Sequence, residues 1–302
     1  MSTKPKILVV GSANMDMVIQ SDHFPAPGET IIGGDFLLIP GGKGANQAVA
    51  AARLGGDVCF ITKLGQDLFG NQNLLNYQQA GIDTKYIQQI PDVPSGVALI
   101  TVDKKGENTI IVAPGANHQL LEADIQSNSS AFDWADMVLL QLEIPFATVN
   151  EVVKMCQKFQ KRLILNPAPA AHLSDEILEG LFMISPNETE AEMLTGVKVM
   201  DEKSAQEAAA FFQLKGVQNV IITLGPAGAY VYSKAFQGIL PTAQVLAKDT
   251  TAAGDTFNGA LAVALAKDQS MVEAVQFALK AATLSVQRIG AQSSIPFSHE
   301  LT

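Results

Sequence analysis

The chain has 302 residues, 47% hydrophobic and 17% charged, and its 30 acidic and 20 basic side chains give a formal charge of -10. That length and apolar content fit a well-buried globular core rather than a disordered chain, and an acidic chain with no run of Lys or Arg offers no surface for a nucleic-acid backbone. Only Cys59 and Cys156 occur, far apart and outside any C-x-x-C pattern, so neither a disulfide framework nor a zinc site is expected.

In chain order, two lysines precede the apolar run 7–10, which is too short for a signal sequence. The longer small-residue run 259–266 ends at Lys267, well short of the ~20 apolar residues of a membrane span. The expectation is a soluble cytoplasmic protein with no membrane partner. Residues 7–10, 58–63, 137–140, 162–165, 182–184 and 220–223 are short β-branched or apolar runs that read as buried strands, and amphipathic Ala-rich segments lie between them. That alternation predicts an α/β fold: a doubly wound, mostly parallel central sheet with helices on both faces. Two regions break the rhythm, about 17–39 and 95–112, where alternating stretches such as GVALITVD and ENTIIVA read as strands without intervening helices. They predict a small antiparallel sheet, with Gly106 turning a hairpin, inserted as a lid in a single domain spanning 1–302. One apolar face of that sheet would stay wet in a monomer, so a homodimer formed through the lid is expected.

Three motifs carry chemistry. GSANMD (11–16) follows the first strand, where α/β sheets bind ligands, but it lacks the G-x-G-x-x-G of a dinucleotide reader. Asn14 and Asp16 either bond their own turn or pair with vicinal sugar hydroxyls. GGKGANQAVAAARLGG (41–56) is a glycine-rich turn running into an Ala-rich helix, and Lys43 followed by Gly44 excludes a Walker A loop. It is either a tight strand-to-helix connection or a backbone that approaches a ligand, with Lys43 and Asn46 reaching it.

DTTAAGDTFNGALA (249–262) is the most specific. Small residues Ala252, Ala253 and Gly254 lead into a helix expected to begin near Asp255, and exposed N–H groups at a helix start make an anion site. Asp255 could be a plain N-cap. A carboxylate beside an anion hole at 252–255 is also what phosphoryl transfer requires: the hole holds the γ-phosphoryl group and the carboxylate accepts the hydroxyl proton. His23, His118, His172 and His299 show no metal spacing, and no G-x-S-x-G elbow appears.

Segments 41–56 and 249–262 together resemble, in order and spacing, the two signatures of the ribokinase family of carbohydrate and nucleoside kinases, and the likeness covers nearly the whole chain. GGKGANQA, QLE (141–143), NPAPA (166–170) and PNETEAE (186–192) are similar to its ribose-phosphorylating members. The resemblance implies ATP-dependent phosphorylation of D-ribose at the 5-hydroxyl with Asp255 as base; fructose, deoxyribose or a nucleoside such as adenosine is the nearest alternative, and a non-catalytic sugar-binding regulator is the alternative of another class. It implies that Asn14, Asp16, Gly42, Lys43, Asn46, Glu143 and Asp255 hold the sugar. Asn187 and Glu190 would organise Mg2+ and phosphate through water, and equally form an N-cap and capping box. Thr223, Gly225, Gly228, Ala253, Gly254 and Leu279 would bind the nucleotide, although Pro226 and Ala227 stand where relatives often carry polar or basic side chains. A potassium site is implied at Asp249, near Thr251, and on a C-terminal loop from Ser285 through Arg288 and Gly290 to Ser294.

Overall fold

The computed structural model describes residues 4–301; residues 1–3 and 302, the ends of the expected domain, lie outside it. Elements are numbered in chain order. In β1 (Lys6–Val10), Ile7 and Val9 face one side of a sheet and Leu8 and Val10 the other, all fully buried. Burial on both faces is why the strands of this sheet read as continuous apolar runs rather than alternating ones.

The other eight strands of the main sheet are β4 (Asp57–Gly65), β5 (Ile87–Ile90), β8 (Met137–Leu140), β9 (Arg162–Leu165), β10 (Met183–Ile184), β11 (Asn219–Thr223), β12 (Ala229–Tyr232) and β13 (Gln237–Leu240). Their order is β13-β12-β11-β10-β9-β8-β1-β4-β5, with β12 and β13 added antiparallel at one edge and every other pairing parallel. Helices α1 (Lys43–Arg53), α2 (Leu68–Gln79), α9 (Ala253–Ala266) and α10 (Met271–Ser285) cover one face. The opposite face carries α3 (Glu122–Ser127), α4 (Ser129–Trp134), α5 (Phe146–Lys158), α6 (Asp175–Glu179), α7 (Glu188–Thr195) and α8 (Glu202–Leu214). The doubly wound, mostly parallel sheet predicted from the sequence is the one observed.

From β1 the chain moves outward through β4 and β5, then returns to lay β8 to β11 on the other side. The reversal beside β1 is a topological switch point, and the carboxyl ends of the strands there form a crevice.

The small sheet has the order β3-β2-β6-β7, from β2 (Asn14–Gln20), β3 (Phe36–Gly41), β6 (Gly96–Val102) and β7 (Asn108–Ala113). Of its three pairings two are antiparallel, as expected, but the central one between β2 and β6 is parallel. Period-two alternation is the same read in either direction, so only the path of the chain between the strands fixes their sense. The stretch between β2 and β3 is irregular rather than stranded. Gly106, at φ 81°, turns the β6–β7 connection as expected.

The Ala-rich α1 and the nearly all-buried α9 pack together through Gly259, where a Cβ would lie 2.5 Å from that of Ala50 and 2.9 Å from the Gln47 carbonyl oxygen. Two glycine-rich segments about 200 residues apart in the chain are thus brought into backbone contact by small residues.

Candidate active site

The crevice is built from strand ends. Asn14 and Asp16 open β2, and Gly41 ends β3 directly opposite Asn14. The Asp16 carboxylate lies over Gly41, where a Cβ would meet its Oδ2 at 2.2 Å, and has no hydrogen-bond partner among the described residues. Gly42, at φ 88°, is the N-cap of α1, and a side chain there would strike the Asn14 amide nitrogen. Glycine is therefore required at both positions, for close approach and for the left-handed turn. Glu143, just beyond β8, accepts hydrogen bonds from the Ser12 hydroxyl and the Lys43 N–H (3.0 Å), which ties the first two motifs to the QLE segment.

Asn117, on the 3-10 turn after β7, has no predicted role. It donates to Asn14 Oδ1 at 2.7 Å and exchanges hydrogen bonds with the Ala13 backbone. The Asn14 acceptor is thereby used, and its NH2 group is what remains to donate into the crevice. Asn46 is arranged in the opposite sense: its NH2 donates to Asp255 Oδ2 at 2.9 Å and its Oδ1 is buried without a partner.

Helix α9 begins at Ala253, two residues before the position expected, and its N-cap is Ala252 in the left-handed region at φ 59°. Asp255 is not the cap. Its oxygens instead accept from Asn46 and from Gln47 Nε2 (3.1 Å), both on α1. Ala253 gives its N–H to the Thr250 carbonyl, while no acceptor among the described residues faces the N–H groups of Gly254 and Asp255. A Cβ on Gly254 would meet nothing within 4 Å, so the space before these donors is open. Of the segment 252–255 expected to bind an anion, the N–H groups of Gly254 and Asp255 are therefore free, at the positive end of a 14-residue helix.

Charges converge here. Burial, reinforced by Glu143 and Asp255 and opposed by Lys43, raises the Asp16 pKa to about 7. Burial raises that of Asp255 too, against Lys43 and the Asn46 and Gln47 hydrogen bonds. Burial would lower the Lys43 pKa, but Asp255, Glu143, Glu190 and Asp16 outweigh it and hold the ammonium charged. One cation thus serves four carboxylates.

A polar cavity at this point is lined by Lys43, Asn187, Glu190, Gly254 and Asp255. Asn187 caps α7 and makes a reciprocal capping box with Glu190, at 2.8 and 2.9 Å. The box occupies one Glu190 oxygen and leaves the other to the cavity, which suits water-mediated contact to a hydrated Mg2+. Thr223 and Gly254 also line a second cavity of about 450 Å³, whose walls include Val245, Leu279, Ala282 and Val286. Polar and apolar chambers meeting at a helix N-terminus fit the phosphates and base of a nucleotide. Gly225 (φ 49°) and Gly228 (φ 104°) shape the turn after β11, and a Cβ on Gly228 would lie 2.1 Å from the Leu240 carbonyl oxygen. Leu279 is both core and cavity wall.

The expected potassium residues are partly assembled. Asp249 accepts from the N–H of Thr251 (2.9 Å) and of Gly290 (2.8 Å), pinning the C-terminal loop to the turn before α9. Burial would raise its pKa, but the hydrogen bonds from Thr251 and Gly290 outweigh it and hold the carboxylate ionised. The hydroxyls of Ser285 and Ser294 bond the carbonyls of Ala282 and Ala291, both at 2.8 Å. The Arg288 guanidinium is engaged by Glu300. A cation itself, Arg288 can offer only its backbone carbonyl to a cation site. The one carboxylate of the set is thus Asp249, with each of its oxygens accepting from a backbone N–H.

Known proteins resemble this chain along almost its whole length. The model of the pfkB family of carbohydrate kinases matches residues 4–298. A ribokinase of Haemophilus influenzae is 46% identical over 294 residues, 97% of this chain and 96% of that protein. Among solved structures, ribokinase from Thermotoga maritima has a TM-score of 0.90 at 42% identity, covering 98% of both chains. Ribokinase of Arabidopsis thaliana, complexed with ribose and ATP, has a TM-score of 0.91 at 33% identity, covering 99% of this chain and 98% of that one. With a mostly parallel sheet, a polar and an apolar cavity meeting at the start of α9, and the family match running from residue 4 to residue 298, this chain belongs to the pfkB family of carbohydrate kinases.

Proposed function

We propose that the chain transfers the γ-phosphoryl group of ATP to the 5-hydroxyl of D-ribose. The observation that carries the reading is the buried Asp255 carboxylate held beside two free N–H donors, with Asn14, Asp16 and Asn46 gathered close to it by the packing of β2 and α1. As the hydroxyl oxygen attacks phosphorus, its proton passes to Asp255 and the bond to the β-phosphate oxygen breaks, releasing ADP. Lys43 and the Gly254 and Asp255 N–H groups oppose the charge on the transferring group. Asn187 and Glu190 would hold Mg2+ through water, and that ion would neutralise the phosphates. Asp249 and the carbonyls around Thr251 and Gly290 would hold K+, which would fix the turn that aims the anion hole.

An equal-concentration assay of ribose, deoxyribose, fructose and adenosine tests the substrate. Fast turnover of ribose is expected, and slow turnover of ribose beside fast turnover of another acceptor would reject it. The same assay in K+ and then Na+ tests the cation: equal rates would remove the potassium site.

We read the small sheet as a lid on one kinase domain and as a dimer surface. All of β7 is exposed, including Ile110 and Ile111, and Leu99 on β6 and Phe36 and Leu38 on β3 are exposed too, an apolar patch unusual for a monomer. Sedimentation at micromolar protein should give twice the 32.0 kDa chain mass, and a monomer would overturn the dimer. Both cysteines are buried and free, which suits a reducing compartment, and we place the reaction in the cytoplasm, where ATP is available. No helix among the described residues is long and apolar enough to cross a membrane.

A further inference from the structure

Gln47 and Gln141 are both fully buried, at 0% exposure, and neither can touch a sugar or nucleotide. Two long amides in the protein core are costly unless their hydrogen bonds are used. Gln47 uses both its oxygen and its NH2 group and Gln141 uses its NH2 group, while Gln141 Oε1 has no partner among the described residues. Gln141, at the end of β8, donates to Gln47 Oε1 at 2.6 Å, which fixes which way the Gln47 amide faces. The Gln47 NH2 group then donates twice, to Asp255 Oδ1 and to Asn166 Oδ1, both at 3.1 Å.

From Asn166 the chain of bonds continues. The Asn166 NH2 donates to the Ser185 carbonyl at 3.1 Å, the Ser185 hydroxyl donates to Asn258 Oδ1 at 2.5 Å, and the Asn258 NH2 donates to the Gly254 carbonyl at 2.9 Å. Gly254 supplies one of the two free N–H groups of the anion hole. The network therefore leaves Gln47 by two arms, one ending on the base and the other on the turn that holds the phosphoryl group. Gly11 accommodates it: a Cβ there would sit 2.1 Å from Gln141 Oε1.

We propose that Gln47, oriented by Gln141, is a positioning residue for phosphoryl transfer that sets the Asp255 carboxylate against the anion-binding turn. The inference rests on Asp255 being the base of a sugar kinase. Phosphoryl transfer depends mainly on placement, and displacing a base by about 1 Å costs on the order of 100-fold in rate. Gln47 acts on that placement without binding either substrate, so its loss should appear in kcat and not in KM.

The test is steady-state sugar and ATP kinetics on the full chain for Gln47→Met, Gln141→Met and the double variant, with thermal unfolding and ATP titration to identify folded protein. Methionine keeps length and flexibility but donates no hydrogen bond. Gln47→Met is expected to lose about 10- to 100-fold in kcat, the range for a hydrogen bond to a charged group, with KM for the sugar near wild type. Gln141→Met, which does not touch Asp255, should lose kcat by a smaller factor, and the double variant should be no slower than Gln47→Met, because both act through one amide. Should Gln47→Met not fold, Gln47→Leu replaces it: it is apolar and of similar volume, removes the donor to Asp255, and predicts the same loss. Wild-type kcat in a folded variant, a rise in KM alone, or additive losses would each overturn the proposal. Wild-type protein that phosphorylates no sugar would instead reject the kinase reading on which it rests.

Discussion

Asp255→Asn lowers kcat by about 10³-fold, within the 10²–10⁴ that a positioned general base supplies, and leaves ATP binding close to wild type. The capping role that the sequence left open is removed by the position of Ala252: Asp255 lies three residues into the helix, and its oxygens face α1 rather than its own backbone. The substitution is tolerated sterically. Gln47 is pinned by Gln141 and keeps its donor toward position 255, so the new amide must turn its oxygen to Gln47 and its NH2 to Asn46. Asn46 can accept, because its Oδ1 has no other partner and the side chain need only flip. Removing a buried charge of raised pKa does not weaken the fold, so the melting temperature should not fall. Initial-rate kinetics together with isothermal titration of ATP separate lost chemistry from lost binding. Turnover near wild type would leave a sugar-binding protein without the assigned base.

Asp16→Asn moves activity and stability in opposite directions. A carboxylate accepting from sugar hydroxyls is worth more than a neutral amide by about 1.5–3 kcal/mol, so KM for the sugar should rise roughly 10- to 100-fold. In the free protein this carboxylate is buried near Glu143 and Asp255, and its pKa is raised from 3.8 to about 7. The folded state therefore binds a proton that the unfolded state has already released between those two values. Stability from this group is full below pH 3.8 and is lost as pH rises through about 7. At pH 8 the ionised Asp16 costs on the order of a few kcal/mol, which the amide does not incur. Thermal unfolding of the two proteins should nearly coincide near pH 4 and diverge as pH rises, with Asp16→Asn the more stable. Equal melting temperatures at pH 8 would show that Asp16 is not held at this cost. Sugar should narrow the difference in the wild type, since its hydroxyls satisfy the carboxylate.

Much of this molecule was legible in advance. The apolar runs at 7–10, 137–140 and 162–165 form strands at or within one residue of the expected bounds, because burial on both faces leaves an unbroken apolar signature. The edge strands were not legible. β5 is IQQI, half polar, and β12 and β13 are four residues each, joined without a helix, so neither periodicity nor length marks them. Asn14, Asp16, Lys43, Asn46, Glu143 and Asp255 do meet in one crevice. Gln47, Gln141 and Asn166 sat in plain view inside GGKGANQA, QLE and NPAPA, and a buried glutamine in an alanine helix was the available signal.

By itself the sequence determined the strand-and-helix alternation, the glycine-rich turns, the anion-binding helix start and the residue types of the crevice. Each is a local property, written in periodicity, in the absence of a Cβ or in a motif a few residues long. Only the tertiary structure decided that Asp255 is held from α1 rather than capping its own helix, that β2 and β6 run parallel, that Arg288 is turned to Glu300, and which way each buried amide faces. Those outcomes depend on groups brought together by sheet order and by the Gly259 contact between α1 and α9. A hydrogen bond has a direction and a partner, and for side chains such as Gln47 and Asp255, 208 positions apart, both are fixed only once the chain has folded.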